Sequence, residues 1–361
     1  MVAAILTNWS VYHERVGSAT LEGTANYEAM NSPARMKAVQ LTRFGDPEVL
    51  EIVDLPVPYP GPGEVQVRIR AAGVNFFETL VRQNRYAVTP QLPTILGVEA
   101  AGVVEALGEE VDPSLLHRRV GLPMFAVGRA SGGYAEYIAI KASDVVLLPD
   151  NLSFEEATAL LVQGLSAVLL TRHTSPQDKT IAITAAAGGV GSLLIQLAKR
   201  AGARSIIALA STPEKLRLAT SLGADFALDY RAPSWLDQLK ESTNGTGVDI
   251  IYDSVGGPLT GTLLTALAPL GQLIFAALSR CQLTTRDLET MFHQNQSIRG
   301  FALLPLLNPA TLHDDFSSLF DLAQSGDLKV LIGGRYPLEN AAEAHRHLEN
   351  RLTTGKVVLI P

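Results

Sequence analysis

Hydrophobic and polar positions follow two different patterns along the chain. Between Met36 and Pro149 the apolar residues alternate in short runs separated by Gly, Pro and Asp, as in KAVQL, VLEIVDLPV and EVQVRIRAAGV. A period of two, broken at short intervals by turn residues, is typical of a partly open β-barrel or sandwich. The sequence therefore predicts a β-rich first region.

From about Asn151 apolar strands alternate with helix-patterned segments. Ser153 and Glu156 have the spacing of a capping box at the start of the first helix. The predicted strands are 180–184, 205–210, 226–230, 249–255 and 272–278, and the predicted helices between them are 189–200, 213–222, 235–241 and 259–268. Fully apolar strands alternating with helices indicate a parallel sheet covered on both faces.

The two patterns predict the domain organisation. Residues 1–35 have no sustained period and lack the pattern of a secretory signal, so we expect a poorly ordered extension. Residues 36–160 form the first part of the β-rich domain and 161–297 the doubly wound domain. Residues 298–361 return to the β-rich domain, because the chain ends in another strand-like run, KVVLI.

A glycine-rich corner joins the first strand of the second pattern to its helix. Ala185–Gly191 has the spacing Ala-x-x-Gly-x-x-Gly, a small-residue variant of the dinucleotide fingerprint, with a strand before it and a helix after it. We expect Gly188 to turn the chain, and Gly189 and Gly191 to leave no Cβ between the backbone amides and a pyrophosphate. Ala187 and Val190 belong to the same predicted site. A plain tight turn is the structural alternative.

The next strand points to the phosphorylated dinucleotide. Its end, IIALASTPEKLR, carries no acidic residue for the ribose hydroxyls that NAD presents. Ser211, Thr212 and Lys215 surround that place instead and would bind a 2′-phosphate. The cofactor expected from these residues is NADPH. Alternatively, Lys215 and Arg217 form a solvated helix face.

Composition and charge narrow the possible partners. The net charge of −7 over 361 residues, without a basic stretch interleaved with aromatic residues, argues against nucleic acid. The most apolar stretch, 157–170, is interrupted by Gln163, Gly164 and Ser166, so we expect a buried helix and no membrane span. The single cysteine, Cys281, excludes an intrachain disulfide and fits a reducing compartment, so we expect a cytoplasmic protein.

No metal site is expected. Alcohol dehydrogenases of this layout hold zinc through Cys and His, but Asn75 and Val98 stand at two of those positions, and the seven histidines are scattered. Without a Lewis acid, an isolated ketone is difficult to reduce. A quinone, or a carbonyl conjugated to a C=C bond, accepts hydride more readily, because its developing negative charge needs only hydrogen-bond donors.

Taken together, the motifs AAGVNFFETLVRQNRY, LGVEAAGVVEALG, GGYAEY, AAAGGVG, IYDSVGG and YPLENAAEAHRHLENRLTTGKVVLIP resemble the zinc-independent quinone oxidoreductases of the medium-chain dehydrogenase/reductase superfamily. The resemblance covers Met36 to Pro361. It implies an α/β fold with a GroES-like β-barrel catalytic domain, a doubly wound Rossmann domain, and an active site in the cleft between them. The residues that it implies around NADPH and substrate are Asn75, Tyr86, Ser166, Gly189, Val190, Lys215, Tyr230 and Arg351.

The chain departs from the family pattern at three places. Leu80 replaces a tyrosine that often lines the substrate pocket, and Gln163 stands where relatives often carry lysine. The segment FAALSRC, 275–281, replaces a more glycine-rich loop. The first departure implies a more apolar pocket.

These observations predict an NADPH-dependent, metal-independent reductase that transfers hydride to a quinone or an α,β-unsaturated carbonyl. Asn75 and Tyr86 are the expected catalytic residues. One alternative is an enoyl reductase acting on a carrier- or coenzyme-bound chain in secondary metabolism. Another is an NADPH-binding protein with little turnover. The resemblance and the apolar run SIRGFALLPLL also predict a homodimer joined through sheet edges.

Overall fold

The computed structural model describes residues 34–277 and 282–361, whose strands form a three-stranded, a seven-stranded and a six-stranded sheet. The predicted extension over 1–35 lies outside the described residues except for its last two, and Cys281 and most of segment 275–281 lie outside them too.

The first half of the chain is β-rich, as its alternation predicts. Its elements are β1 (Arg35–Leu41), β2 (Leu50–Pro56), β3 (Glu64–Val74), α1 (Phe76–Arg82), β4 (Thr94–Ile95), β5 (Ala100–Leu107), β6 (Arg119–Leu122), β7 (Tyr137–Lys141) and β8 (Val146–Leu147). The three-stranded sheet has the order β2-β1-β4. In the seven-stranded sheet β3 pairs antiparallel with both β5 and β7. Its apolar positions Val65, Val67 and Ile69 are buried, which places this sheet face in the core.

The second half supplies the six-stranded sheet and its helices. Its elements are α2 (Phe154–Ala159), a π-helical segment (Leu160–Gly164), α3 (Leu165–His173), β9 (Thr180–Thr184), α4 (Gly189–Arg200), β10 (Ser205–Ala210), α5 (Pro213–Ser221), β11 (Phe226–Asp229), α6 (Trp235–Ser242), β12 (Val248–Asp253), α7 (Pro258–Leu264), β13 (Leu267–Phe275), α8 (Thr285–His293) and β14 (Ser297–Gly300). The strands run parallel in the order β11-β10-β9-β12-β13-β14. This is the doubly wound order of dinucleotide-binding domains, and it confirms the predicted fold class.

The C-terminal part joins the seven-stranded sheet. Its elements are α9 (Leu312–Gln324), β15 (Ile332–Pro337), α10 (Ala341–Glu349) and β16 (Lys356–Ile360). β16 pairs parallel with β15 and antiparallel with β3, so the last strand of the chain lies beside one of the first.

Most element boundaries match the sequence pattern, but those around β13 do not, since the predicted strand 272–278 is observed as Leu267–Phe275. The Ser153 hydroxyl accepts a hydrogen bond from the Glu156 amide, as the predicted capping box requires. The predicted helix over 259–268 is wrong at its end, because α7 stops at Leu264 and β13 starts at Leu267. The cause is strand pairing: Leu267 aligns with Val248 of β12 and is drawn into the sheet.

The apolar stretch Phe154–His173 forms one 20-residue helical run, through α2, the π segment and α3. Its length and composition would suffice to cross a membrane, but 61% of its most apolar window is buried inside the protein. Leu160, Leu161 and Leu165 belong to the same core cluster as Phe316 and Phe320 of α9. The stretch is a core helix, as expected.

Candidate active site

The glycine corner between β9 and α4 has a different geometry from the predicted one. Gly188 has extended backbone angles, φ −79° and ψ −178°, whereas Ala185 has φ +48°. The left-handed residue of the turn is therefore Ala185, and Gly188 closes the turn by donating its amide hydrogen to the Ala185 carbonyl oxygen at 2.8 Å. Gly191 is required by packing, because a Cβ there would lie 2.4 Å from the Ala185 carbonyl oxygen. This glycine lets α4 approach β9 closely.

The space beside Gly189 is filled by a glutamine. A Cβ on Gly189 would lie 1.9 Å from Oε1 of Gln163, so the absent side chain makes room for the Gln163 amide. The predicted pyrophosphate site at the corner amides stays a prediction. Oε1 of Gln163 is buried and has no hydrogen-bond partner among the described residues. A buried polar atom without a partner at the glycine corner fits a site completed by a ligand.

The π segment presents Gln163 to this corner. It interrupts the helix between α2 and α3, and such insertions are frequent at functional sites. Ser166 follows in the first turn of α3 and is buried, with 7% of its surface exposed. Gln163 could not be assigned to the site from the sequence pattern alone, although its departure from the family lysine is a signal.

The predicted phosphate-binding residues meet at the carboxyl ends of β10 and β11. Thr212 caps α5, accepting a hydrogen bond from the Lys215 amide at 3.3 Å. The Lys215 ammonium donates to the Arg351 carbonyl oxygen at 2.5 Å. The Arg351 guanidinium donates to the Tyr230 hydroxyl at 3.2 Å. Ser211 directly precedes the cap.

The charge of this cluster is uncompensated. Within the described residues neither Lys215 nor Arg351 forms an ion pair with a carboxylate, while nearby Arg231 is paired with Asp229 at 3.1 Å. Burial lowers the pKa of Lys215, and the charges of Arg351 and Arg231 lower it further. Cations held together without an anion suit a ligand that carries a phosphate.

The C-terminal segment joins this cluster to the glycine corner. The Gly355 amide donates to the Ala187 carbonyl oxygen at 2.8 Å, and Gly355 forms a bridge with Gly188. The chain therefore crosses the corner just after Arg351. Residues far apart in sequence are thus combined along one edge of the parallel sheet, where dinucleotides bind in doubly wound folds.

Asn75 lies in the β-rich half and is almost entirely buried, with 4% of its surface exposed. It precedes α1, and its backbone amide donates to the Glu78 carboxylate at 2.7 Å. Its side-chain amide is used elsewhere: Nδ2 donates to Glu99 at 2.7 Å and Oδ1 accepts from Lys356 at 2.8 Å. The sequence did not reveal Glu99 and Lys356, which are 24 and 281 residues away.

Further buried polar groups lie behind Asn75. The Tyr134 hydroxyl donates to Glu78 at 3.2 Å and lies 3.1 Å from Nε2 of His345. Burial raises the pKa of Glu78 to about 7. Burial, together with the charge of Arg82, lowers the pKa of His345 to about 3. When the hydroxyl donates to ionised Glu78, Nε2 of the neutral His345 ring is the donor to Tyr134.

Tyr86 lies apart from this network. Its ring packs against Phe77 of α1, with centroids 5.3 Å apart, and is half-buried. Its hydroxyl has no hydrogen-bond partner within the described part of the chain, and burial raises its pKa, so it carries its proton at neutral pH. Leu80 is buried, with 7% exposed.

The side chains near Asn75 do not form a zinc donor set. Asn75 already bonds to a carboxylate and an ammonium, and Val98 offers no ligand atom. Over residues 34–277 and 282–361, no group of three or more His, Cys, Asp and Glu side chains is placed to hold a metal ion. Zinc sites in proteins need three or four such ligands.

Comparisons with known proteins identify the family of the chain. The chain matches a model described as an alcohol dehydrogenase GroES-like domain over residues 61–150, and one described as a zinc-binding dehydrogenase over 222–359. It is 38% identical to the quinone oxidoreductase of Pseudomonas aeruginosa over 332 residues, which is 90% of this chain and 99% of the relative.

Two solved structures are similar over 90% of the chain. The Escherichia coli quinone oxidoreductase, solved with NADPH, has a TM-score of 0.81 and 33% identity, and is covered over its whole length (100%). A protein described as an NAD-dependent alcohol dehydrogenase has a TM-score of 0.80 and 32% identity, with 99% of it covered. The fold alone therefore does not select the dinucleotide, and the residues at the phosphate end must do so.

Proposed function

The chain belongs to the zinc-independent quinone oxidoreductase family of the medium-chain dehydrogenase/reductase superfamily, and we propose that it is an NADPH-dependent, metal-independent reductase of quinones or α,β-unsaturated carbonyls. Membership makes it an oxidoreductase with NADPH as its cofactor. The substrate class and the absence of a catalytic metal are the proposed part.

The observation that supports NADPH binding is the cation cluster of Lys215 and Arg351 at the ends of β10 and β11. Lys215, Tyr230 and Arg351 are linked by hydrogen bonds, and the two cations lack carboxylate partners within the described residues. A carboxylate at this place would favour NAD, whereas this set favours a 2′-phosphate. The corner amides at Gly189 and Val190, and the open acceptor of Gln163, would hold the rest of the dinucleotide.

The catalytic part of the proposal starts from the groups that remain free to donate. Bound NADPH supplies a hydride. Asn75 keeps one side-chain N–H after its bond to Glu99, and the Tyr86 hydroxyl is unpartnered among the described residues. Both are neutral donors, which suit an oxygen that gains charge in a conjugated acceptor. The proton can come from water or from Tyr86, and the variant Tyr86→Phe distinguishes these sources.

The absence of a catalytic metal is supported by the donor set. The matching model over 222–359 is described as zinc-binding, but the ligand positions are taken by Asn75 and Val98, and the Asn75 amide is held by an ammonium. A cation next to Lys356 would be repelled. We therefore assign no step to zinc.

The test is an acceptor panel with NADPH: 1,2-naphthoquinone, a simple enone, an enoyl thioester and a saturated ketone. We expect turnover with the quinone or the enone and none with the saturated ketone. Turnover confined to the thioester would favour the enoyl reductase. Tight NADPH binding without turnover on any acceptor would favour a binding protein and would overturn the proposal.

We further propose that the enzyme is a cytoplasmic homodimer. β14 (Ser297–Gly300) is an edge strand of the six-stranded sheet, and exposed Leu304 lies shortly after it, so the edge can pair with a second copy. Sedimentation velocity should give the mass of two chains. A single-chain mass at micromolar concentration would remove the dimer. Cell fractionation tests the location, with recovery in a membrane or secreted fraction counting against it.

A further inference from the structure

We infer that Glu99 and Lys356 are positioning residues that fix the orientation of the Asn75 amide. The inference rests on the proposed function, in which Asn75 touches the reacting oxygen. Glu99 directly precedes β5 and Lys356 opens β16, so the two side chains reach Asn75 from separate strands of the seven-stranded sheet. Both are fully buried, at 0% exposure, which is rare for charged residues unless they are paired.

The hydrogen bonds leave the amide only one orientation. The Lys356 ammonium can only donate, and it donates to Oδ1 of Asn75 at 2.8 Å and to Oε1 of Glu99. The Glu99 carboxylate can only accept, and it accepts from Nδ2 of Asn75 at 2.7 Å. If the oxygen and nitrogen of the Asn75 amide exchanged places, the NH₂ group would face the Lys356 ammonium and the oxygen would face the Glu99 carboxylate, so neither hydrogen bond could form. The fixed amide thus keeps one N–H for a ligand.

Only a carboxylate at position 99 can accept both of the hydrogen bonds made there. Its second oxygen, Oε2, accepts from the Val162 amide in the π segment at 2.7 Å. A glutamine would have to face either Val162 or Asn75 with an NH₂ group, so one of the two bonds would be lost. Gly73 of β3 makes room for this carboxylate, because a Cβ there would lie 2.3 Å from Oε1 of Glu99.

Loss of the orientation should affect turnover more than cofactor affinity. Glu99 and Lys356 do not contact the Lys215–Tyr230–Arg351 cluster, which holds the phosphate end. A donor displaced by about 1 Å costs on the order of 100-fold in rate. We therefore expect Lys356→Met to lower kcat by about 10- to 100-fold with less than about threefold change in the Kd for NADPH.

The test is a double-mutant cycle with Asn75→Ala. If Lys356 acts through Asn75, adding Lys356→Met to Asn75→Ala changes kcat no further, whereas independent effects multiply. The fluorescence emission of bound NADPH is recorded for the wild type, the two single variants and the double variant. We expect the three variants to show the same change relative to the wild type. Multiplying kcat effects, or an emission of Lys356→Met equal to wild type, would overturn the inference.

The emission measurement separates this inference from the proposed function. If the wild-type protein reduces none of the acceptors, the proposed function is wrong. The fluorescence of bound NADPH in the four proteins then still tests whether Lys356 positions Asn75. The matched control is Arg82→Met, which removes another fully buried cation, one that pairs with Glu349 and does not contact Asn75. It should lose stability and keep kcat. Should Lys356→Met not fold, Lys356→Met/Glu99→Gln removes both charges and is expected to lower kcat in the same way.

Discussion

Replacing Lys215 with methionine tests the cofactor selection directly. The substitution keeps most of the side chain's length and removes its charge, together with its bond to the Arg351 carbonyl oxygen. Arg351 and Tyr230 remain in place on their own segments, so the change is confined to one cation of the cluster.

The size of the effect follows from the setting of Lys215. Two unit charges 4 Å apart interact by about 4 kcal/mol at an effective dielectric constant of 20. Lys215 is half-buried, so water screens part of this energy, and a hydrogen bond to a charged group is worth about 1.5–3 kcal/mol net. This corresponds to about 10- to 150-fold weaker NADPH binding. NADH lacks the 2′-phosphate, and its affinity should change less than about threefold.

Calorimetric titrations of wild type and variant with NADPH and NADH measure both changes. The matched control is Arg217→Met on the same helix, because Arg217 is 71% exposed and already paired with Glu214 at 3.2 Å. It should bind both dinucleotides like wild type. Equal losses for NADPH and NADH in Lys215→Met, or an equal NADPH loss in both variants, would refute the assignment and favour a solvated helix face.

Three further changes test the packing and the buried charges by denaturant unfolding. Gly191→Ala should lower the free energy of unfolding by about 1–3 kcal/mol more than Gly189→Ala. The new Cβ at position 191 would lie 2.4 Å from a backbone oxygen, whereas the Cβ at position 189 would meet the Gln163 side-chain amide, which can move. Equal losses in the two variants would contradict this reasoning. Because the pKa of Glu78 is raised to about 7, its contribution to the free energy of unfolding is complete below pH 4.5 and is lost as the pH rises to about 7. Glu78→Gln should therefore reduce this loss of stability between pH 4.5 and 7 by roughly 3 kcal/mol. The lowered pKa of His345 has the opposite effect, because stability is lost as the pH falls from 6.5 toward about 3. His345→Phe should reduce this loss. If the pH dependence of stability is unchanged in both variants, neither group titrates as described.

The sequence predicts an element's boundaries well where residues within or next to that element determine them. The apolar run and the glycine corner define β9 and α4 without reference to the rest of the chain. The predicted end of α7 was wrong because Leu267 pairs with β12, a contact that periodicity does not encode.

The site residues, too, could be predicted where the signal is local in the sequence and not where it depends on pairing between distant strands. Lys215 could be found from the strand end that precedes it, because that signal is local. Lys356 could not, since its meeting with Asn75 depends on β16 returning to β3 across most of the chain. Glu99 could not either, because it reaches Asn75 through the pairing of β5 with β3. Ala185 was missed as the left-handed residue because glycine is the usual occupant of that conformation.

A single experiment on protein dialysed against EDTA tests whether the protein oxidises NADPH with a quinone and without a metal. NADPH absorbance is followed after mixing enzyme, NADPH and 1,2-naphthoquinone. We predict sustained NADPH oxidation at the rate of untreated enzyme, without stimulation by added zinc. A rate no higher than that of the protein-free mixture, or activity lost with EDTA and restored by zinc, would contradict the account.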